Sequence, residues 1–271
     1  MRVPKRKARR GPRIRPSCQK YSTGPGEISR IYTKDNSESY VSDHHIKQLS
    51  DLTDEIVACR MCTRLVDWRE KIGKEKRASY KDWDYWAKPI PSYGDPNASL
   101  VLIGLAPAAH GGNRTGRVFT GDPSATFLTA AMHEAGLANQ ATSEHREDGL
   151  KLNGVYIGTA VRCVPPGDKP TAEEQRTCLP YLVQELRILP NLKVIMALGH
   201  IAFRAALQTL SDMAEEKLRG KFMHGEVYRF GHTLPMIIAS YHPSPRNTNT
   251  GVLTKDALVN VLKKAKELSQ S

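Results

Sequence analysis

The chain has 271 residues, 39% hydrophobic and 25% charged, which suffices for the core of one large domain or two small ones. No apolar run approaches the roughly 18 residues of a membrane helix, and no apolar stretch follows the basic start, so membrane and secreted proteins are excluded as first interpretations. The 40 Lys and Arg outnumber the 28 Asp and Glu, and the net charge of +12 favours a polyanionic partner.

The positive charge is concentrated at the start of the chain. Residues 1–20 contain nine Lys or Arg and no acid, which accounts for nine of the net +12. Prolines and glycines there disfavour a long helix, so residues 1–44 are predicted to be a disordered basic arm. The arm is either a solvated tail, which a mis-assigned start codon would also produce, or a nonspecific tether for DNA phosphates.

Residues 45–271 are predicted to form a single α/β domain. Apolar residues recur at three- to four-residue steps from about residue 48, which indicates a helix, and 73–97 is predicted to be an irregular surface excursion. Four apolar runs typical of buried parallel strands follow, at 100–105, 155–161, 194–198 and 236–240. Further helices are predicted at 124–136, 171–188 with a break near Pro180, 200–211 and 252–268. This alternation predicts a three-layer α/β/α sandwich around a central four-stranded, mostly parallel sheet.

Four cysteines outside the arm form a possible metal site. They are Cys59, Cys62, Cys163 and Cys178, whereas Cys18 lies in the arm and is expected to be a free thiol. Four thiolates are the ligands of a tetrahedral zinc site or of an iron–sulfur cluster, which the spacing does not separate. Redox pairs and buried structural thiols are the alternatives. The CxxC lies within a helical pattern, whereas a redox CxxC usually follows a strand.

Two loops, 106–122 and 241–251, follow predicted strands, and ligands bind beyond the carboxyl ends of strands in such sheets. The first loop offers Arg114 and Arg117 as cations and Phe119 as a flat face for stacking, with a core aromatic as the alternative interpretation of Phe119. In the second, His242 is suited to donate to an oxygen that gains negative charge. Ser244 and Arg246 are suited to contact DNA. Because we expect the loops at two adjacent strand ends, they predict one pocket.

Both loops resemble the active-site motifs of a known enzyme superfamily. GLAPAAHGGNRTGRVFTGD at 104–122 and HPSPRN at 242–247 resemble the two motifs of the uracil-DNA glycosylases, and are most similar to those of family five, the type B enzymes. The cysteines resemble the [4Fe-4S] ligands shared by families four and five. VRCVPP at 161–166 resembles the strand segment that carries the third ligand. The similar features span about residues 48–262.

The resemblance implies a role for each motif residue. Asp122 would position the attacking water, and Asp168 stands where family five has an asparagine. His242 would face a uracil oxygen, and Phe119 would stack on the flipped base. Ala106 stands where other families carry a polar water-positioning residue, and Thr159 replaces an asparagine that reads the uracil edge, so strict uracil discrimination is not implied. The implied base-binding set is Gly104, Leu105, Ala106, Phe119, Thr159 and Asn247. The implied DNA-binding set is Arg114, Arg117, Ser244 and Arg246.

The implied function is that of a monofunctional glycosylase in base excision repair. It would flip a damaged nucleotide out of single- or double-stranded DNA and hydrolyse its N-glycosidic bond by an oxocarbenium-like route. Uracil and other deaminated bases such as hypoxanthine are the expected substrates, with a structural [4Fe-4S] cluster on the four cysteines. We expect a cytoplasmic, nucleoid-associated monomer with no membrane partner. Two alternatives remain: a noncatalytic DNA-binding module with a structural four-Cys metal site, and a redox or sensor protein that works through its cluster.

Overall fold

The sheet is built around the four apolar runs predicted from the sequence. The computed structural model describes residues 43–271. The strands in this part of the chain are β1 (Tyr93–Gly94), β2 (Leu100–Gly104), β3 (Val155–Thr159), β4 (Val194–Leu198), β5 (Val227–Tyr228) and β6 (Met236–Ser240). They form one sheet in the order β1-β3-β2-β4-β6-β5, whose four central strands are parallel. The mostly parallel sheet is therefore confirmed.

The predicted number of four strands is wrong, because the described residues form a six-stranded sheet. The additional strands, β1 and β5, contain two residues each and pair antiparallel to β3 and β6. Strands of this length are too short to show a period of two, which is why the sequence pattern does not reveal them. They lie at the two edges of the sheet and leave its parallel centre unchanged.

Helices cover both faces of the sheet. They are α1 (Asp43–Ala58), α2 (Thr63–Glu75), α3 (Gly112–Thr115), α4 (Pro123–Glu134), α5 (Ala172–Ile188), α6 (His200–Ala214), α7 (Pro245–Thr248) and α8 (Lys255–Gln270). Leu102 packs with α4 and α8 on one face, and its neighbour Val101 packs with α1, α5 and α6 on the other. Successive strand residues thus enter two cores, which confirms the three-layer sandwich. No helix within residues 43–271 is long and apolar enough to cross a membrane.

Three local predictions need correction. Pro180 does not break α5, because it lies on the exposed side of that helix, where water can satisfy the carbonyl group that it leaves unpaired. The CxxC motif lies between α1 and α2 rather than within a helix, and Cys62 is the residue that precedes α2. The predicted arm lies outside the described residues, except that Asp43 and His44 begin α1.

Candidate active site

The two motif loops meet at the carboxyl edge of the parallel strands. β2 ends at Gly104 and β6 ends at Ser240, but β4 lies between them, so the prediction of adjacent strand ends is wrong. The loops nevertheless converge, since the rings of Phe119 and His242 lie 6.0 Å apart between centroids and are inclined by 32°. The amide of Gly199, directly after β4, donates to the carbonyl oxygen of Ser240 at 2.7 Å and joins the ends of β4 and β6.

Phe119 is held in a strained conformation over the end of β2. Its φ of +46° is unusual for a bulky residue, and such strain is concentrated at functional sites. The hydroxyl of Ser143 donates to the Phe119 carbonyl oxygen at 2.9 Å and helps to hold it there. The ring lies against Gly104, where a Cβ atom would stand 2.7 Å from its Cζ. Phe119 is therefore both a core aromatic and a possible stacking surface, since it is buried in the core and also faces His242.

We expect Gly104→Ala to lower kcat/KM for uracil excision by roughly tenfold, because the added methyl group displaces the Phe119 ring and one lost stacking contact on a base costs about 1–3 kcal/mol. Steady-state kinetics on a uracil oligonucleotide measure this. The matched control adds Gly104→Ala to Phe119→Leu, because the collision needs the Phe119 ring. If Gly104→Ala lowers kcat/KM as much in the Phe119→Leu background as in the wild type, the collision is not the cause.

His242 is a neutral imidazole in this site. Burial lowers its pKa to about 4, because a charged ring would lose its hydration. The side-chain amide of Asn247 donates to the His242 carbonyl oxygen at 2.8 Å, so the predicted base-binding Asn247 holds the His242 backbone. At neutral pH the ring has one N–H donor and no charge, and its donor can stabilise an oxygen that gains negative charge.

Asp122 lies at the junction of the first loop and α4. Its Oδ1 accepts from the amide of Ala125 at 3.0 Å, so it caps the helix as well as facing the site. Burial raises its pKa, while the helix amides and Arg114 oppose that rise. The charge of Asp168 also raises the pKa of Asp122, which places the two carboxylates within electrostatic reach. Asp168 is exposed with φ of +56°, a conformation that Asn and Asp adopt more readily than other non-glycine residues.

Neither arginine of the first loop lies where a DNA contact needs it, which corrects their predicted role. Arg117 is buried, and its guanidinium bonds to Asp148 at 2.7 Å and to the hydroxyls of Thr120 and Ser143. Arg114 is also buried and donates to the carbonyl oxygens of His110 and Gly121. Both side chains therefore stabilise the loop from inside.

The predicted DNA contacts of the second loop are accessible. Arg246 is exposed and Ser244, which precedes α7, is partly exposed. Both lie within four residues of His242, so a phosphate that they contact would lie beside the pocket. These two residues remain from the predicted DNA-binding set.

The remaining base-binding candidates lie at the end of β3 and directly after β2. Thr159 pairs with Gly104 in the sheet, but its hydroxyl donates to the carbonyl oxygen of Val161 at 3.0 Å and is directed to the backbone. Leu105 accepts from the amide of Val161 at 2.9 Å. Ala106 packs against the cluster of residues around the cysteines. None of these three side chains presents a free polar group to a base.

The four predicted cysteines line a single cavity. Cys59 and Cys62 enter between α1 and α2, Cys163 follows β3, and Cys178 lies in α5. All four are unpaired thiols, and burial raises the pKa of Cys163 to about 11 and of Cys178 to about 12. Within residues 43–271, no three His, Cys, Asp or Glu side chains are placed to share one metal ion.

Arg69 is a site residue that the sequence analysis missed. It is buried, its Nη1 donates to the sulfur of Cys163 at 2.9 Å, and its Nη2 donates to the carbonyl oxygen of Cys59 at 3.2 Å. Its position could have been found, because Arg69 shares the helical face of Leu65 and Val66, three to four residues earlier. An arginine on an otherwise apolar helix face requires a buried partner.

Tyr80 and Trp83 were also missed. Their rings enclose the Arg114 guanidinium at 4.0 and 4.1 Å from its carbon, a double cation–π contact. Both belong to the segment predicted to be an irregular excursion, where no periodicity indicates a role. Together with Asp122 and Pro245 they line an open cleft beside the pocket.

Comparison with known proteins agrees with this geometry. The family model of the uracil DNA glycosylase superfamily matches residues 91–266, which include both motif loops. The chain belongs to the uracil-DNA glycosylase superfamily. It is 47% identical over 217 residues to a type-5 uracil-DNA glycosylase of Thermus thermophilus, covering 79% of this chain and 95% of that protein. It is 44% identical over 215 residues to the type-5 uracil-DNA glycosylase of Pyrobaculum aerophilum, covering 79% of this chain and 91% of that protein. It is 42% identical over 222 residues to that of Mycobacterium tuberculosis, covering 82% of each. The resemblance to family five is thereby confirmed.

Proposed function

We propose that this chain excises uracil from DNA by hydrolysing the N-glycosidic bond, and that its pocket also admits other deaminated bases such as hypoxanthine. The observation that carries the proposal is the convergence of Phe119 and His242 above Gly104, with Asp122 in the adjoining turn. A flat ring, a neutral hydrogen-bond donor and a carboxylate are the groups that removal of a planar base requires. Leu105 and Ala106 are apolar and the Thr159 hydroxyl is bonded to the backbone, so these three side chains offer no free polar group that would restrict the pocket to uracil.

Each of these groups has a defined task in the reaction. The target nucleotide leaves the base stack at a cost of a few kcal/mol, and Phe119 provides a stacking surface for the extruded base. The bond between C1′ and the base nitrogen then breaks with its electron pair on the base, whose oxygen receives the His242 N–H bond. Positive charge develops on the sugar, opposite the Asp122 carboxylate. Water adds to C1′ and releases its proton, so the products are the free base and an abasic site.

Single-uracil and single-hypoxanthine oligonucleotides, in single-stranded and duplex form, test this proposal. A monofunctional glycosylase produces strand breaks only after alkali treatment, whereas a lyase would break the strand directly. Thymine oligonucleotides are the control for general loss of specificity. Tight binding to every oligonucleotide without any abasic product would support the alternative of a noncatalytic DNA-binding module.

We further propose that the cysteine cavity holds a [4Fe-4S] cluster on Cys59, Cys62, Cys163 and Cys178. The donor set fits the cluster, because four thiols from four positions in the chain line one cavity. Each cysteine can bind a different iron of the cluster, so the four sulfur atoms need not converge on one metal ion. Arg69 adds a positive charge beside Cys163, and its buried Nε has no hydrogen-bond partner among the described residues. When bound, the cluster would cross-link α1, α2, α5 and the segment after β3. Its role would be structural, because the residues that line the cysteine cavity include none of Phe119, Asp122 and His242.

Iron and sulfide analysis of the purified protein tests the cofactor, and we expect about four of each per chain, where zinc would give a single ion and no sulfide. We expect Cys178→Ser to lose most of its iron and its visible absorbance. Its Tm should fall by about 10–20 °C, because a loss of about 5 kcal/mol lowers the Tm of a domain of this size by roughly 2–4 °C per kcal/mol. Cys18→Ser is the matched control and should retain the iron. Full retention of iron by both variants would contradict the assignment.

A further inference from the structure

The first residue after β6 is held by a side chain rather than by a strand. β5 pairs antiparallel with β6, and their backbone hydrogen bonds end at Ala239. The Ala239 amide donates to the carbonyl oxygen of Glu226 at 3.1 Å, and its own carbonyl oxygen accepts from the amide of Gly225 at 2.7 Å. Alternate residues of a strand bond to the same neighbouring strand, so Tyr241 is the next residue that faces this side. Its amide donates to Nδ1 of His224 at 3.1 Å, which takes the place of a strand partner.

The His224 ring is well placed for this contact. It stacks on the ring of Tyr241, with centroids 4.9 Å apart and planes inclined by 5°. A backbone amide can only donate, so Nδ1 accepts and the neutral ring carries its proton on Nε2. Burial lowers the pKa of His224, which keeps Nδ1 without a proton at neutral pH. His224 therefore offers a fixed acceptor to the residue that directly precedes His242.

Both polar groups of the peptide unit that joins Ser240 to Tyr241 are bonded. Its amide donates to His224, and its carbonyl oxygen accepts from the Gly199 amide at 2.7 Å. Because a peptide unit is planar, two bonds on opposite sides fix the direction in which the chain enters the His242 loop. The His242 ring has no hydrogen-bond partner within residues 43–271, so this direction and packing decide where the ring points.

We propose that His224 is a positioning residue for uracil excision, which holds the backbone so that the His242 donor meets the base as the glycosidic bond breaks. The inference rests on the proposed function, since His242 is the donor assigned there to the departing base. Position matters for such a group, because a misplacement of about 1 Å can lower a rate roughly 10²-fold. His224 has this effect through the Tyr241 amide and needs no contact with DNA.

Three substitutions separate the hydrogen bond of His224 from its ring stack. His224→Asn places Oδ1 as many bonds from Cβ as Nδ1, so it keeps the acceptor and loses the stack. His224→Phe keeps the ring and loses the acceptor. His224→Gln is the matched control for His224→Asn, because its amide oxygen lies one bond farther from the backbone and does not replace Nδ1.

We expect kcat on a uracil oligonucleotide to fall about tenfold in His224→Phe and His224→Gln, and to stay within about threefold of wild type in His224→Asn. KM should change by less than about twofold in all three variants, because the interaction that His242 provides strengthens in the transition state. Single-turnover and steady-state cleavage of the same oligonucleotide measure these constants.

Imidazole NMR of His242 in the DNA-free protein gives a second measurement that is independent of bond cleavage. The pKa of His242 is about 4 in the wild type, and we expect His224→Asn to leave it there. In His224→Phe it should rise towards the ordinary value of about 6.5, because a ring that is no longer held in place gains water.

Two results would each overturn the positioning role: equal kcat in the Asn and Phe variants, or a His242 pKa in His224→Phe that is unchanged from wild type. If the wild-type protein cuts no uracil oligonucleotide, the proposed function fails instead, and the NMR comparison still decides whether His224 holds His242 in place.

Discussion

Replacing His242 by Ala is expected to lower kcat for uracil excision by about 10²–10³-fold. The imidazole is the neutral donor facing Phe119, and removing one such donor to a developing negative charge costs about 3–4 kcal/mol. The effect should be on kcat more than on KM, because the charge that the donor stabilises exists only in the transition state. Single-turnover cleavage of a uracil oligonucleotide measures the chemical step without product release.

Two comparisons make this result specific. His242→Gln keeps an N–H donor of similar reach and should recover part of the lost rate. DNA binding should remain within about twofold in both variants, because phosphate contacts rather than His242 supply most of the affinity. A His242→Ala enzyme within threefold of wild-type kcat would remove His242 from the mechanism.

The pH dependence of stability follows from the burial of His242. The folded protein takes up a proton on His242 only near pH 4, whereas the unfolded chain does so near the ordinary value of about 6.5. Between these two values the unfolded state binds more protons, so the contribution of His242 to stability rises with pH across this window. Activity should show no titration near pH 6.5. Imidazole NMR of His242 with an apparent pKa close to 6.5 would contradict this assignment.

The parallel core was predictable because its signal is local. Helices cover both faces of β2, so every residue from Leu100 to Gly104 is buried and the strand appears as an uninterrupted apolar run. The break at the CxxC was not predictable, because Cys59 and Cys62 continue the helical spacing of α1 and α2 across the gap. At Pro180 the sequence predicted a break that α5 does not have. The exposed position of Pro180 within α5 depends on packing that the local sequence does not show.

The same distinction between local signals and long-range packing applies to the active site. The convergence of Phe119 and His242 could be predicted, because both belong to motifs that follow parallel strands of the same sheet. The orientation of the Arg117 side chain could not be predicted, because its partner Asp148 is 31 residues away in the chain. The sequence shows that Arg117 is charged but not whether it points to solvent or into the protein. Burial with a paired carboxylate therefore changes a residue expected at the DNA surface into one that holds the loop together.

Gly111→Ala is expected to lower kcat by about 10²-fold, close to the effect of Asp122→Asn, without touching a reacting group. A Cβ on Gly111 would lie 2.0 Å from Oδ2 of Asp122 and 2.8 Å from its Cγ. The carboxylate cannot retreat at low cost, because Oδ1 caps α4 through the amide of Ala125 and Pro123 follows directly. The added methyl group should therefore push the carboxylate away from the site.

Gly112→Ala is the matched control for this displacement. Its Cβ would lie 2.9 Å from the Cβ of Pro107 and does not meet Asp122, so it should strain the same loop while kcat stays within about threefold of wild type. The pH profile separates the causes further. Burial raises the pKa of Asp122, so a carboxylate displaced towards water should ionise at lower pH and move the acid limb of activity downward. Equal losses in both glycine variants, with no movement of the acid limb, would mean that loop strain and not the position of Asp122 limits the rate.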